Sequence, residues 1–117
     1  NVSDEDKRNE NFVGCSLMKA VTLWNDMGAG EFAINYIRTK DKRGVDFLLT
    51  RDSMPWLLVV VKTSDTSLSP QLEHFQKLTG ARHALQVVID QPFREMDCFS
   101  FKVPTVVPAQ TFLSQLV

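Results

Sequence analysis

The run Trp56-Leu57-Leu58-Val59-Val60-Val61-Lys62 constrains the fold of this chain more than any other stretch. Large apolar and β-branched side chains follow one another without a polar break and end on a cation. Such a run reads as a strand covered on both faces, with a polar group at its carboxyl end. It is the third of three strands expected between Glu31 and Lys62, joined by two turns. The second, Val45 to Thr50, carries one acid, Asp46, among apolar residues, and a carboxylate buried there needs a partner, a metal or a proton.

The elements on either side follow from periodicity and punctuation. Phe32 to Thr39 alternates as a first strand, with Phe32, Ile34, Tyr36 and Arg38 on one face. Lys40-Asp41-Lys42-Arg43-Gly44 closes a hairpin onto the second strand, and Arg51 to Pro55 makes the next turn. Upstream, Val13, Leu17, Val21 and Trp24 recur at helical spacing from Glu10 onward, flanked by Phe12 and Ala20 and stopped by Gly28 to Gly30. Residues 1–9 are too polar to bury anything; they are either frayed or the start of a helix whose first turns lie further upstream. Downstream, Ser69 as N-cap and Pro70 open a second helix, with Leu72, Phe75 and Leu78 on its buried face and Gly80 at its end. His83 to Asp90 is a fourth strand, parallel to the third because a helix intervenes, and Gln86 within it reads as a buried amide satisfied by neighbours. Cys98 to Val103 reads as a short edge strand ended by Pro104, and Pro108 to Leu116 as a closing helix. The expected class is α/β, a mixed central sheet flanked by helices in the order α-β-β-β-α-β-β-α.

Length allows one domain with its own core, since the chain has 117 residues. Thirteen basic against fourteen acidic side chains give a net charge of −1, which excludes bulk attraction to nucleic acid or an anionic membrane. Any such contact must be local. The dense basic cluster is Arg38, Lys40, Lys42 and Arg43, which reads first as a solvated hairpin tip and second as a phosphate-backbone contact. Cys15 and Cys98 are too few for a disulfide framework, no zinc spacing is present, and both read as reduced, buried thiols of a cytoplasmic protein. No apolar run approaches the roughly 20 residues of a membrane span, so no membrane partner is expected. A GxxxxGK[ST] P-loop is also missing, so ATP hydrolysis by that route is not expected of these residues. The opening on Asn1 and a polar lead-in fit an excised piece of a longer protein.

An acid on one strand, followed by a hydrophobic strand ending acid-x-Lys, is the signature of the PD-(D/E)XK restriction-endonuclease-like fold, which residues 31–62 resemble with one departure. Alternation places residues 60 and 62 on one face, and where that fold keeps its second acid this chain has Val60. The resemblance narrows further. Glu10-Asn11-Phe12, Tyr36 to Lys40, Val45-Asp46-Phe47-Leu48, Val61-Lys62, Gln86-Val87-Val88, Val107-Pro108-Ala109 and Phe112-Leu113 together resemble, in order and spacing, a domain of unknown function. That domain closes many bacterial and archaeal AAA-family ATPases, after a P-loop module and a winged-helix segment. A second departure is Gly44, where the family commonly has an acid before the Val-Asp pair. The resemblance implies a nuclease-like domain over residues 10–117 behind a polar lead-in over 1–9. It also implies an upstream ATPase module in the same polypeptide as the ATP-binding part, and a nucleic acid or a protein as target.

By the same resemblance Asp46 would be a metal ligand, Lys62 the stabiliser of the developing anion, and Glu10 an additional ligand. Read alone, Glu10 is an acid near a helix start, favoured by the dipole, although its spacing puts it on the core-facing side. With Val60 in the third position one strand carboxylate remains, so Mg²⁺ binding is expected to be weak, and Asp46 and Lys62 are expected to pair across the strands. The expectation is a binding or regulatory module with a degenerate nuclease site and no cleavage activity. One alternative is a weak or rescued metal-dependent nuclease, in which Glu10 or Asp65 supplies the missing acid. Another is an oligomerisation surface of the ATPase.

Overall fold

The computed structural model describes residues 4–36 and 44–116. In chain order these form α1 (Asp4–Asp26), β1 (Phe32–Tyr36), β2 (Phe47–Arg51), β3 (Met54–Lys62), α2 (Pro70–Thr79), β4 (His83–Val88), β5 (Thr105–Pro108) and α3 (Ala109–Ser114). The strands make one sheet in the order β1-β2-β3-β4-β5. β1, β2 and β3 run antiparallel to their neighbours, whereas β3, β4 and β5 are parallel. The chain is thus an α/β fold on a mixed five-stranded sheet, with the third strand at its centre.

Burial along β3 explains why its sequence does not alternate in polarity. Leu57 and Val59 enter one cluster with Val13 and Leu17 of α1 and Phe112 of α3, while Leu58 and Val60 enter another with Leu72 of α2. Both faces of the strand are therefore covered by helices, and each buried Val or Leu contributes about 1.5–3 kcal/mol relative to an exposed one. The amino end of β3 is fixed by rings. Trp56 stacks on Phe99 at 5.5 Å between centroids and meets Trp24 edge-on at 5.8 Å. The Trp24 indole N–H donates to the Leu116 carbonyl at 3.1 Å, which ties α1 to the end of α3.

Of the two readings of the polar lead-in the helical one holds from Asp4, where Asp4, Glu5 and Asp6 face the positive end of the helix dipole. Three expectations need correction. The edge strand is Thr105–Pro108, not Cys98 to Val103, because Cys98–Ser100 is drawn into a 3₁₀ turn. There the Asp97 carboxylate accepts from the Phe99 N–H at 3.0 Å and Gln115 Oε1 accepts from the Cys98 N–H at 2.9 Å, bonds that compete with a ladder. Leu78 is 69% exposed, since six residues of helix turn it well away from Leu72. Cys15 is exposed and only Cys98 is buried.

The β2–β3 hairpin turns on Asp52 and Ser53, with φ of 52° and 69°. Two consecutive positive φ values define a tight turn whose favoured second residue is glycine, because serine's Cβ crowds the following carbonyl there. Asp52 is otherwise well used: its carboxylate accepts from the Glu31 N–H at 2.9 Å. Ser53→Gly is accordingly expected to raise stability by roughly 0.5–1 kcal/mol in urea unfolding. An unchanged or lower midpoint would show that the turn carries no strain at this residue.

Candidate functional site

Asp46 lies one residue before β2, not within it. Val45 packs on the α2 side of the sheet and Phe47 on the α1 side, although residues two apart on a regular strand share a face. The backbone therefore turns over at Asp46. Its N–H donates to the Val59 carbonyl at 2.9 Å, and its Oδ2 accepts from the Val61 N–H at 2.7 Å. These two bonds bracket Val60. Because β2 begins only at Phe47, the carboxylate acts as acceptor for an N–H at the end of β3, a group that cannot be left orphaned.

The electrostatics join three residues that lie far apart in sequence. Burial pushes the Asp46 carboxyl up to about 6, the Val61 N–H pulls it back, the Glu10 carboxylate raises it and the Lys62 ammonium lowers it. Glu10 on α1 and Lys62 at the end of β3 thus both act on Asp46. The ion pair expected between Asp46 and Lys62 is not formed among the described residues. One cause is visible: the carboxylate is directed at the Val61 main chain.

Polar side chains extend this junction. Asn9 donates to the Thr63 hydroxyl at 3.0 Å, and that hydroxyl donates to an Asp6 carboxylate oxygen at 2.5 Å. Asp6 and Asn9 were missed by sequence reasoning, which read residues 1–9 as frayed or as the start of a helix and gave them no contact. The available signal was spacing: Asp6, Asn9, Glu10 and Val13 share one helix side.

Of the other candidates, Arg38, Lys40, Lys42 and Arg43 lie outside the described residues. Asp65 is committed to its own loop, where its carboxylate accepts from the Ser67 N–H at 2.9 Å. Gln86, in register with Val60 on the neighbouring strand, is the satisfied buried amide its sequence context implied. Its Oε1 accepts from the Ser69 N–H at 2.8 Å, and its Nε2 donates to the carbonyls of Ser67 at 2.8 Å and Asp65 at 3.2 Å. This amide pins the loop between β3 and α2.

The donor set can be weighed against a divalent cation. Asp46 has one oxygen committed to an N–H, Glu10 is the second carboxylate, and the facing position on β3 is a hydrocarbon that is 3% exposed. Among the described residues no group of three His, Cys, Asp or Glu side chains converges. Magnesium is usually held by one or two carboxylates, with water and substrate oxygens completing its octahedron, so Asp46 and Glu10 are the residues that would hold it here.

No helix among the described residues is long and apolar enough to cross a membrane. No protein-family model, curated protein or solved structure matches the chain.

The Asp46 environment makes a pH prediction. A carboxyl whose folded value is raised from 3.8 to about 6 binds its proton more tightly in the folded chain. Its stabilising contribution is complete below the unfolded value and is lost as pH rises through about 6, a change on the order of 3 kcal/mol. Asp46→Asn keeps an oxygen for the Val61 N–H and removes the charge. It is expected to melt higher than the parent at pH 7.5 and equally at pH 4. Equal shifts at both pH values would remove the buried charge as the cause.

Proposed function

We propose that this chain is a nuclease-like accessory domain of an AAA-family ATPase, with a degenerate site that binds or regulates without cleaving. Val60 carries the reading. At the position where hydrolysis calls for a second acid, its side chain packs with Leu58, Leu72 and Ala84 inside the α2 cluster. Removing one member of a catalytic set generally removes the activity that the set performs together. The PD-(D/E)XK resemblance is supported by the element order: a helix, three antiparallel strands, a crossover helix and a parallel strand stand in the sequence that the resemblance implies. The charges of Glu10 and Lys62 also both act on Asp46, beside the carboxyl end of β3. There the carboxylates and the lysine act as charged contacts for a partner, with the ATPase activity residing in an upstream module.

The test is a pair of assays on one preparation. Single- and double-stranded DNA and RNA are incubated with Mg²⁺ or Mn²⁺ and scored for cleavage, and the same probes are scored for gel retardation. The reading expects intact substrate. Cleavage that Lys62→Ala abolishes would overturn it in favour of a weak metal-dependent nuclease, a second reading that Glu10's action on Asp46 favours.

A further inference from the structure

The inward side of α1 carries Glu10 and the core; its outward side carries a different pattern. Arg8, Phe12, Cys15, Lys19, Leu23 and Asp26 recur at intervals of three and four, so they form one stripe, and all six are exposed. Phe12 is 59% exposed and Leu23 40%, so two large apolar side chains stand in water on this face. Beside the stripe a groove of about 250 Å³ runs between α1 and α3, lined by Ser16, Lys19, Ala20, Leu23, Leu113 and Leu116. Arg8 and Asp26 make no ion pair among the described residues.

The order of groups along the stripe reads as cation, aromatic, thiol, cation, aliphatic, anion. Turning it end over end about its midpoint places Asp26 against Arg8 and Leu23 against Phe12. The two charges stand roughly 27 Å apart along the axis, so they can meet their counterparts at both ends of a helix pair at once. A parallel partner of the same sequence would set like charges together. We propose that this face of α1 pairs antiparallel with α1 of a second copy of the chain about a two-fold axis. Arg8 of each copy meets Asp26 of the other, and Phe12 of each enters the groove beside the other's Leu23. Such a contact is isologous and self-complementary, as closed two-fold association requires. Lys19, near the axis, lays its stem along the groove and keeps its ammonium in water. The pairing does not depend on the Asp46 site, which lies on the opposite side of the helix.

Sedimentation equilibrium of the described chain at increasing concentration, with Arg8→Glu, Asp26→Arg and their combination, tests the arrangement. Circular dichroism on each variant confirms folding, and both positions are exposed enough to tolerate reversal. The expected result is a concentration-dependent dimer, weakened roughly tenfold or more by either reversal and restored by the two together. A short bismaleimide is expected to join Cys15 to Cys15 of the second copy in the native chain and much less in either single variant. A monomer at every concentration would overturn the proposal and leave the face to some other partner. So would a dimer insensitive to both reversals, or one that the combined variant fails to restore.

Discussion

Val60→Glu is expected to cost about 4 kcal/mol at pH 8, the penalty of placing an unpartnered carboxylate among apolar side chains. Val60 is 3% exposed and its neighbours Leu58, Leu72 and Ala84 offer no hydrogen bond to a carboxylate. The loss should shrink at low pH. An acid buried there has its folded value raised, so the variant is most stable below the unfolded value and weakens as pH rises. Against a total stability of about 5–15 kcal/mol, this is enough to shift the urea midpoint markedly without preventing folding. The same variant probes ancestry. If the site descends from a nuclease centre, the new acid and Asp46, whose two main-chain bonds bracket position 60, supply a carboxylate pair, and Mn²⁺ is expected to raise the melting temperature of the variant but not of the parent. A variant indifferent to Mn²⁺ would count against the nuclease-like origin itself, whatever the parent's activity.

The second large effect sits on the other face of the sheet. Phe47→Ala is expected to lose about 4 kcal/mol, because Phe47 is fully buried between β2 and α1 and the remaining walls cannot collapse far. Its ring lies against Gly14 of α1, where an added Cβ would stand 2.8 Å from the Phe47 ring carbon Cζ. Gly14→Ala would ordinarily gain about 1 kcal/mol of helix propensity. Here overpacking wins, and a net loss of roughly 1–2 kcal/mol is expected. Gly14→Ala combined with Phe47→Leu should cost less than the sum of the separate changes, since the smaller side chain makes room for the methyl group. Strict additivity in urea unfolding would show that helix and ring are not in the contact described.

These two sites also show what could be read from the residues and what could not. The continuous apolar run of β3 announced a strand covered on both sides, and the fold bears this out with a separate cluster on each face. Pro70 and Gly80 marked α2 correctly, because N1 proline and a left-handed C-cap are local requirements; Gly80 has φ of 74° and its N–H returns to Gln76. Asp46 was legible as an isolated buried acid, but its true partner was not. A main-chain N–H has no signature in sequence, and the reversal of facing between Val45 and Phe47 depends on where pairing with β3 begins. Cys98 to Val103 failed for a related reason. Its alternation suits an edge strand, yet Gln115, seventeen residues downstream, supplies the bond that bends it. A long-range side-chain bond of this kind has no local signature, and here it turns an expected strand into a 3₁₀ turn.

The placement of the two indoles has an optical consequence. Trp24 and Trp56 are the chain's only tryptophans, and their rings lie 5.8 Å apart at the amino end of β3, roughly 20 Å of extended strand from Lys62. Intrinsic emission will therefore report loss of the packed core with a large signal. A molecule docking beside Asp46 will pass almost unseen by it, so titrations of that end call for an extrinsic dye or for amide chemical shifts of Val59 and Val61.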